Sequence, residues 1–419
     1  MKRIVLLAAL LAGTLGAQTV ASSSLTVDDA VREALEKNVG LMAQRLDVPI
    51  AEARELTARL RPNPRLSLNS DYMDLLRRGL TPQNSAGPSE LSVRTDYTIE
   101  GGHKRARRSE VAQLSTAVSR LALEDAIRNL VLDVQNAFVD MLAAKESVAL
   151  AKLNLDALNA IVRVNETRVR AGDLAPVEVS RSRVAALQYA NAVQQAELRM
   201  TTSRNRLQLL LGRSGAADSL DVTGPIREDK QALNLEQIRT EALTKRPDLE
   251  ALRRNRERSE ADVRLQQANG KIDYTVGTAY QHQYTYSNGR LFGAYLSIPI
   301  PLFDRNQGEI ARARSEARQS ALRIQAREKA VTEEAENAFR QYETSRLLVE
   351  RIEKEMLSQA NSVRQTTEYS YRRGEASLIE FLDAQRAYNE TMQSYNDARA
   401  DYARSLYLIE AVSGRTARP

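Results

Sequence analysis

The chain has no cysteine and no tryptophan, and only two of its 419 residues are histidines. The lack of cysteine excludes a disulfide scaffold, a cysteine nucleophile, thiolate metal sites and a lipid-modified N-terminal cysteine. With only His103 and His282 available, a histidine-rich metal site is excluded too, and no cofactor is expected. Aromatic residues make up 5% of the chain, and no Ser/His/Asp or Cys/His pattern is present, so an enzyme is not expected.

A strong excess of one charge is also missing. The sequence has 60 Lys and Arg against 54 Asp and Glu, a formal net charge of +6. Loss of an N-terminal signal containing Lys2 and Arg3 would lower that charge by two, to +4. Spread over a chain of this length, such a charge is not a signature of nucleic-acid binding.

The only long apolar run is at the N-terminus. A basic start is followed by the apolar stretch Ile4–Leu15 and then by small residues, which predicts a secretory signal peptide over 1–21, cleaved after Ala17 or Ala21. The alternative, a buried N-terminal helix, fits the basic start poorly. No other segment approaches about 20 consecutive apolar residues. We therefore expect an exported protein that could enter a membrane only as a closed β-barrel.

Two internal repeats organise the rest of the sequence. Leu25–Asp28 recurs as Leu233–Glu236, and Arg170–Ala175 recurs as Arg372–Ser377. A recurrence at two places in the same order predicts two copies of one structural unit. The predicted units are a first repeat over 22–212, a linker over 213–232 and a second repeat over 233–414.

Each copy is predicted to contain a helix, two strands, a very long helix, a tight turn and a return helix. Apolar residues recur at every seventh position from Ile127 to Val169, and small residues such as Ala137 and Ala144 follow three positions later, a coiled-coil pattern. The predicted long helices are 103–171 and 305–373, each about 100 Å long. The predicted return helices are 176–211 and 377–413, and the predicted strands are 65–73, 90–100, 271–284 and 290–300.

The strand segments alternate apolar and polar residues and are about ten residues long, the length that crosses a bilayer at a tilt. Seven tyrosines lie in or beside them, as an interfacial girdle requires: Tyr72, Tyr97, Tyr274, Tyr280, Tyr284, Tyr286 and Tyr295. Four strands are too few to close a barrel, so a membrane location requires an oligomer in which each chain contributes four strands. The alternative is a pair of soluble hairpins that cap a coiled coil.

Three motifs carry a resemblance to the TolC family of outer-membrane efflux proteins, and in particular to its CzcC-like heavy-metal branch. They are Arg61–Pro64 before the first strand, Glu100–Arg105 after the second, and Ile298–Gly308 after the fourth. The resemblance covers essentially the whole mature chain. It implies a mainly α fold with a membrane β-barrel, in which a homotrimer forms a 12-stranded barrel continued by a 12-helix periplasmic tunnel.

The family resemblance also implies a function. Such ducts sit in the outer membrane among its lipids, dock on a periplasmic adaptor and an inner-membrane pump of the RND type, and passively export what the pump delivers. The motif branch favours metal cations as the exported substrate, with drugs, solvents or dyes as the alternative. The rival class is a soluble periplasmic coiled-coil scaffold or adaptor.

A basic cluster follows the second strand, at the depth where inner-leaflet headgroups would lie. Its members are Lys104, Arg105, Arg107 and Arg108. Basic side chains at this depth can reach anionic phosphates, so we expect a membrane interface. The alternatives are a solvated helix face and a nucleic-acid patch, which would need interleaved aromatics and conflicts with export. His103 is expected to be a polar interface residue, not a metal ligand.

The turns between long and return helices are expected at Gly172 and Gly374, because glycine tolerates left-handed backbone angles. Pro176 restarts the first return helix. By resemblance, these hairpin tips dock the adaptor; the alternative is that they only reverse the chain. The implied docking residues are Arg170, Gly172, Asp173, Leu174, Arg373, Gly374, Glu375 and Ser377.

The resemblance also implies a periplasmic gate. Glu380 and Asp383 share one helix face and match the acidic pair at the aperture of the family, where threefold symmetry would gather six carboxylates and raise their pKa values. Tyr371 and Glu178 match a tyrosine and an acid that bond between neighbouring hairpins in the closed state. The alternative is that Glu380 and Asp383 are ordinary solvated acids.

One gate contact of the family is in doubt in this sequence. The family often has a basic latch residue near the start of the second return helix, and Ala376 stands at that position here. Arg372 or Arg373 is the expected substitute.

Overall fold

A computed structural model describes residues 24–71, 90–214, 220–229, 232–283 and 289–415. The predicted signal peptide, and Tyr72, Tyr284 and Tyr286, lie outside the described residues. The helices are α1 (Val27–Lys37), α2 (Val39–Arg45), α3 (Asp47–Arg59), α4 (Lys104–Ala171), α5 (Pro176–Leu210), α6 (Leu235–Lys245), α7 (Pro247–Asn269), α8 (Gln307–Arg351), α9 (Leu357–Arg373) and α10 (Leu378–Val412). The strands are β1 (Arg65–Asp71), β2 (Glu90–Ile99), β3 (Tyr274–Gln283) and β4 (Arg290–Ser297).

The single helix predicted at the start of each repeat is broken in the structure. Asn38 has an extended backbone that ends α1, and its side-chain oxygen accepts a hydrogen bond from the Leu41 amide at 2.9 Å to begin α2. In the second repeat Arg246 is extended because Pro247 follows it, and α7 begins at that proline. The breaks therefore arise from local capping and from proline.

The four strands form one antiparallel sheet in the order β1-β2-β3-β4, so the hairpins of the two repeats pair through β2 and β3. Register and alternation give the sheet two unlike faces. One face carries most of the polar residues, among them Arg65, Ser67, Asn69, Ser92, Arg94, Asp96, Thr275 and Gln281. The other carries most of the apolar ones, among them Leu66, Leu68, Val93, Tyr97, Val276, Tyr280, Phe292 and Leu296.

Two strands are shorter than predicted. The fourth strand ends at Ser297 instead of residue 300, because Pro299 and Pro301 cannot donate to a ladder. The third begins at Tyr274 instead of residue 271, because Gly270 and Lys271 still make the hydrogen bonds that end α7.

Two apolar cores hold the helices together. The first lies where α1, α4, the end of α5 and the linker meet, and contains Val31, Val134, Phe138, Met141, Leu207 and Val222. The second lies between α6, α8 and α10, and contains Ile238, Val331, Ala338, Tyr342, Tyr402 and Ile409. Because α10 contributes Ala403 and Tyr407 to the first core as well, both repeats are packed into one body.

The second long helix, predicted over 305–373, runs over 307–373 but contains a change in its hydrogen-bond pattern. Between α8 and α9 the backbone forms a π turn, Ile352–Met356, in which the Leu357 amide donates to the carbonyl of Ile352. The first long helix, α4, runs over Lys104–Ala171 as one α-helix. The two repeats therefore differ in the helices that lead to their tips.

No helix in the described part of the chain combines the length and the apolar character needed to span a membrane.

Candidate functional site

Both hairpin tips are closed by a glycine in the left-handed region. Gly172 has φ 85° and Gly374 has φ 81°. Past each glycine the next amide donates back into the helix: Asp173 to the carbonyl of Arg168 and Glu375 to that of Ser370, both at 2.9 Å. These bonds satisfy carbonyls that a helix end leaves without partners. The predicted turns lie where the sequence placed them.

Most of the predicted docking residues are exposed. Leu174 is half-buried, and the exposed set is Arg170, Gly172, Asp173, Arg373, Gly374, Glu375 and Ser377. Exposure at the end of two long hairpins leaves these side chains available to another molecule.

Arg168 joins the two tips. Its Nη1 donates to the carbonyl oxygen of Tyr371 at 3.3 Å, and a Cβ added to Gly374 would lie only 2.9 Å from its Nη2. A side chain at residue 374 would therefore be strained by the backbone angle and would displace the flexible end of Arg168. The sequence analysis missed Arg168, because its partner is a backbone carbonyl in the other repeat.

Tyr371 is the buried centre of this end of the molecule. Its hydroxyl donates to Oδ1 of Asn165 at 2.6 Å, and its ring stacks on Phe381 with centroids 5.5 Å apart. Burial raises the pKa of the Tyr371 hydroxyl above its ordinary value of 10, so it remains a donor at neutral pH. The small apolar cluster around it includes Leu158, Ile161, Ala185 and Leu378.

Tyr371 and Glu178 are predicted to bond between neighbouring hairpins of the closed assembly, and this contact stays a prediction. Within one chain the carboxylate of Glu178 accepts from Nη1 of Arg181 at 2.8 Å, one turn along α5. The partner of Tyr371 within the chain is Asn165, which lies on the buried stripe of α4. The signal for Asn165 was an amide on an otherwise apolar helix stripe, which the sequence analysis did not use.

Glu380 has a structural task that the sequence analysis did not predict. One carboxylate oxygen accepts from the Ser377 amide at 2.7 Å and from the Ser377 hydroxyl at 2.9 Å, while Ser377 Oγ accepts from the Glu380 amide at 3.3 Å. This is a capping box that begins α10. Its hydrogen bonds lower the pKa of Glu380 within one chain, and the rise expected from carboxylates crowded by threefold symmetry stays a prediction. Asp383, three residues on, is exposed.

A second set of buried polar contacts lies further from the tips. Gln385 donates to Oδ1 of Asn154 at 3.1 Å and to Asn389 at 3.4 Å, and Asn389 donates to the hydroxyl of Tyr189 at 2.6 Å. Among the described residues, Nδ2 of Asn165 and Oε1 of Gln385 are buried without a hydrogen-bond partner. The hairpins of the two repeats therefore meet through amides and hydroxyls, in part incompletely paired.

Members of the basic cluster make ion pairs within the chain. Lys104 is only 9% exposed, and its ammonium donates to Oδ1 of Asp273 at 2.8 Å. The same oxygen accepts from the Gly101 amide at 2.8 Å. Lys104 thus joins the start of α4 to the segment before β3, across the two repeats.

Arg108 is also engaged inside the chain. It donates to Glu100 at 2.8 Å and to the carbonyls of Ala58 and Leu60, each at 3.2 Å. Arg107 donates to Glu110 at 3.0 Å. Arg105 is exposed, and the side chains of Arg107 and Arg108 are 43% and 37% exposed, so a lipid contact of the cluster stays a prediction.

His103 precedes α4 with φ 59°, and Asn306 precedes α8 with φ 62°. Both long helices thus begin after a left-handed residue, a conformation that His and Asn tolerate better than most residues. No group of three or more His, Asp or Glu side chains in the described ranges is arranged to hold a metal ion.

The family described as "Outer membrane efflux protein" matches residues 30–213 and 238–415, which is most of the chain. The chain belongs to this family. The resemblance to TolC-like proteins is thereby confirmed, and the protein is a non-enzymatic channel of tripartite efflux systems in the outer membrane, with its helical part in the periplasm.

Relatives and solved structures agree with the assignment. The chain is 24% identical to the cobalt-zinc-cadmium resistance protein CzcC of Cupriavidus metallidurans, over 94% of this chain and 91% of that protein. It is 24% identical to the pyoverdine export outer membrane protein OpmQ of Pseudomonas putida, over 94% and 87%. The fold matches the CmeC outer membrane channel of Campylobacter jejuni with a TM-score of 0.78, 15% identity, and coverage of 93% and 85%.

Proposed function

We propose that three copies of the chain form a duct that releases metal cations, delivered by a periplasmic adaptor and an inner-membrane pump of the RND type. The observation that carries the assembly is the four-stranded sheet. In the described sheet β1 and β4 each pair on one side only, and one face is apolar while the other is polar. Pairing β4 of one copy with β1 of the next removes the open edges and closes twelve strands.

In this assembly the polar face lines the lumen and the apolar face contacts lipid. Arg94 on the polar face donates to Asp96 at 3.0 Å, and its guanidinium lies 4.0 Å above the ring of Tyr295. Tyr295 fits there because Gly277 opposite has no side chain: a Cβ would lie 2.1 Å from the Tyr295 hydroxyl. The Arg94 charge is thus paired, which reduces the repulsion that a passing cation meets.

The tip end supplies the gate. Glu380 and Asp383 of three copies gather around the axis, where their negative charge favours cations over anions. The Tyr371–Asn165 hydrogen bond holds the second hairpin against the first, and the Phe381 stack fixes the Tyr371 ring within the second hairpin, which keeps the aperture narrow. The exposed tips at Gly172 and Gly374 receive the adaptor.

The substrate assignment is supported by the similarity to the cobalt-zinc-cadmium resistance protein, and the equally similar pyoverdine exporter makes an organic substrate the alternative. A strain lacking the gene separates the two. We expect it to accumulate Cd²⁺, Zn²⁺ or Co²⁺, measured by elemental mass spectrometry, and to recover when the gene is restored. If the strain accumulated a siderophore or dye and had a normal metal content, the exported substrate would be an organic compound and not a metal cation.

Single-channel recording tests the gate. The double variant Glu380→Gln/Asp383→Asn is expected to lose block by multivalent cations and to lose cation preference, because the ring has no charge left. Glu390→Gln, an exposed acid further along α10, is the matched control and should behave as wild type. Unchanged block and selectivity in the double variant would mean that the two acids do not line the pore.

A further inference from the structure

The π turn shifts the packing of the second long helix by one residue. Along α8 the buried positions follow a heptad with alternating steps of three and four residues, ending at Val349 and Ile352. The next inward residue is Leu357, five positions after Ile352 instead of four. From there regular steps resume and lead to buried Tyr371. The inward positions after the turn are Leu357, Asn361, Arg364, Glu368 and Tyr371.

This shift turns a charged residue toward the neighbouring helix and two apolar residues toward the surface. The guanidinium of Arg364 faces α10 and lies 4.7 Å above the Tyr388 ring. The residue before it, Val363, is 54% exposed, and Met356 is 42% exposed. Yet Met356 and Val363 are the residues that continue the seven-residue series from Val349. If the same residues formed a regular α-helix without the π turn, Met356 and Val363 would occupy the inward positions.

The shift brings Tyr371 to an inward position, where it contacts Asn165. One residue corresponds to a rotation of about 100° around an α-helix. Straightening the π turn would therefore swing Tyr371 away from Asn165 and from Phe381, and bring Ser370 to the inward position. The opposing α4 runs on as a regular helix, so only the second hairpin carries this option.

We propose that α9 has two packing registers, a bulged one that locks Tyr371 on Asn165 and a straight one that buries Met356 and Val363 and releases Tyr371. The inference rests on the proposed gate, because the release of Tyr371 is what would widen the aperture. Single π turns within α-helices occur frequently at functional sites.

The bulged register has its own side-chain support. Tyr395 of α10 donates to Oε1 of Glu353, inside the π turn, at 2.7 Å. Burial and the neighbouring Glu353 carboxylate raise the pKa of Tyr395 to about 12, so this donor keeps its proton under ordinary conditions. A rotation of α9 disturbs this bond together with the one at Tyr371.

Deleting Lys354 should hold α9 in the packing that the bulged register has, with Leu357 and Tyr371 inward. Its side chain is 73% exposed, so little packing is lost with it. With one residue removed, a regular α-helix carries Leu357 and Tyr371 to the same inward positions, and no straight alternative with inward Met356 remains. We expect this variant to fold and to lose the high-conductance openings in single-channel recordings. Openings like those of wild type would overturn the proposal.

Val363→Gln tests the same point without a deletion. A polar side chain disfavours the straight register, in which residue 363 is buried, so openings should become rarer. Ser362→Gln is the matched control, because position 362 faces outward in both registers. If Val363 instead packs against a neighbouring copy of the chain, the substitution loosens the trimer and raises conductance, which would overturn the proposal.

Cross-linking reads the register directly and does not depend on conduction. Because the chain has no cysteine, introduced pairs report without background. Arg364→Cys/Tyr388→Cys should link in the resting protein, and Val363→Cys/Tyr388→Cys should link when Tyr371→Phe is added. If the second pair never links, the two-register proposal is wrong, even if wild type conducts. A wild type that forms no channel, while both pairs link as expected, would instead contradict the proposed duct.

Discussion

The hydroxyl of Tyr371 and the side-chain oxygen of Asn165 form a 2.6 Å hydrogen bond that ties the last turn of α9 to α4. Tyr371 is 2% exposed and Asn165 is fully buried, so neither group can exchange its partner for water. A buried donor or acceptor that loses its partner costs about 1–3 kcal/mol. This bond is therefore both a packing contact between the repeats and a restraint on the tip.

Removing either partner should loosen the tip. Tyr371→Phe and Asn165→Leu each leave one buried polar group unpaired, so we expect each to lower the free energy of unfolding by about 1–3 kcal/mol and to raise channel conductance. The double variant should be less destabilised than the sum of the two, because no orphan remains. Tyr369→Phe, at an exposed hydroxyl that accepts from Arg373, is the control. Strict additivity in a double-mutant cycle would contradict the coupling.

Acid should weaken the start of α10 through Glu380. The hydrogen bonds from Ser377 hold the pKa of Glu380 below its ordinary value of 4.5. A carboxyl whose pKa is lower in the folded state stabilises the fold above its unfolded pKa, and that contribution is lost as pH falls through the folded pKa. We therefore expect the helix start to lose stability below pH 4.5.

The measurement is amide hydrogen exchange at residues 378–381 as a function of pH. Glu380→Gln should remove the pH dependence, and Ser377→Ala should raise exchange at all pH values because the cap is lost. A rise in protection on acidification would indicate that carboxylate crowding dominates over the capping box.

The sequence predicted the features that depend on local signals. The tip glycines, the alternation in the strands and the absence of helix breakers from 103–171 each act within a few residues, and the structure has turns, strands and α4 at these places. The π turn could not be predicted in this way, because Ile352–Met356 contains no glycine or proline. The π turn sets the register in which Tyr371 reaches Asn165 in the other repeat.

The same reason explains which contacts at the candidate site the sequence analysis did not predict. The ion pair of Lys104 needs Asp273, which is supplied by the second repeat. The hydrogen bonds of Glu380 need Ser377, which lies in the turn before the helix. Pairings across the repeats, and caps formed in a specific turn, follow from the folded arrangement.

The two tip glycines should respond differently to alanine. At Gly172 an added Cβ meets nothing within 4 Å, so Gly172→Ala costs only the strain of a left-handed angle, about 1–2 kcal/mol. At Gly374 the Cβ also approaches Arg168 Nη2. Gly374→Ala should therefore displace Arg168 and loosen the Tyr371 carbonyl contact, with a larger loss of stability and more frequent openings.

Adaptor binding distinguishes a change confined to the hairpin tips from a loss of the assembled protein. Both glycine variants should weaken capture of the adaptor in pull-down experiments while the sheet stays assembled. Arg168→Ala should cost less stability in the Gly374→Ala background than in wild type, because Gly374→Ala has already displaced that side chain. Equal effects of the two single glycine variants, together with additive costs, would show that the approach to Arg168 is unimportant.

The junction between strands and helices should depend on Lys104 more than on its basic neighbours. Lys104→Met leaves Asp273 with one hydrogen bond, from Gly101, and without a counter-charge in a partly buried site. Hydrogen bonds to charged groups contribute about 1.5–3 kcal/mol, and partial exposure of Asp273 reduces this to about 1–2 kcal/mol. Arg105→Met, at the exposed neighbouring position, should change stability by less than about 0.5 kcal/mol.

The measurement is the temperature at which the detergent-solubilised oligomer dissociates. The double variant Lys104→Met/Asp273→Asn should dissociate at a higher temperature than Lys104→Met alone, because the uncompensated charge is gone. If Arg105→Met lowered the dissociation temperature more, the junction would be stabilised mainly by contacts with lipid headgroups and not by the Lys104–Asp273 pair.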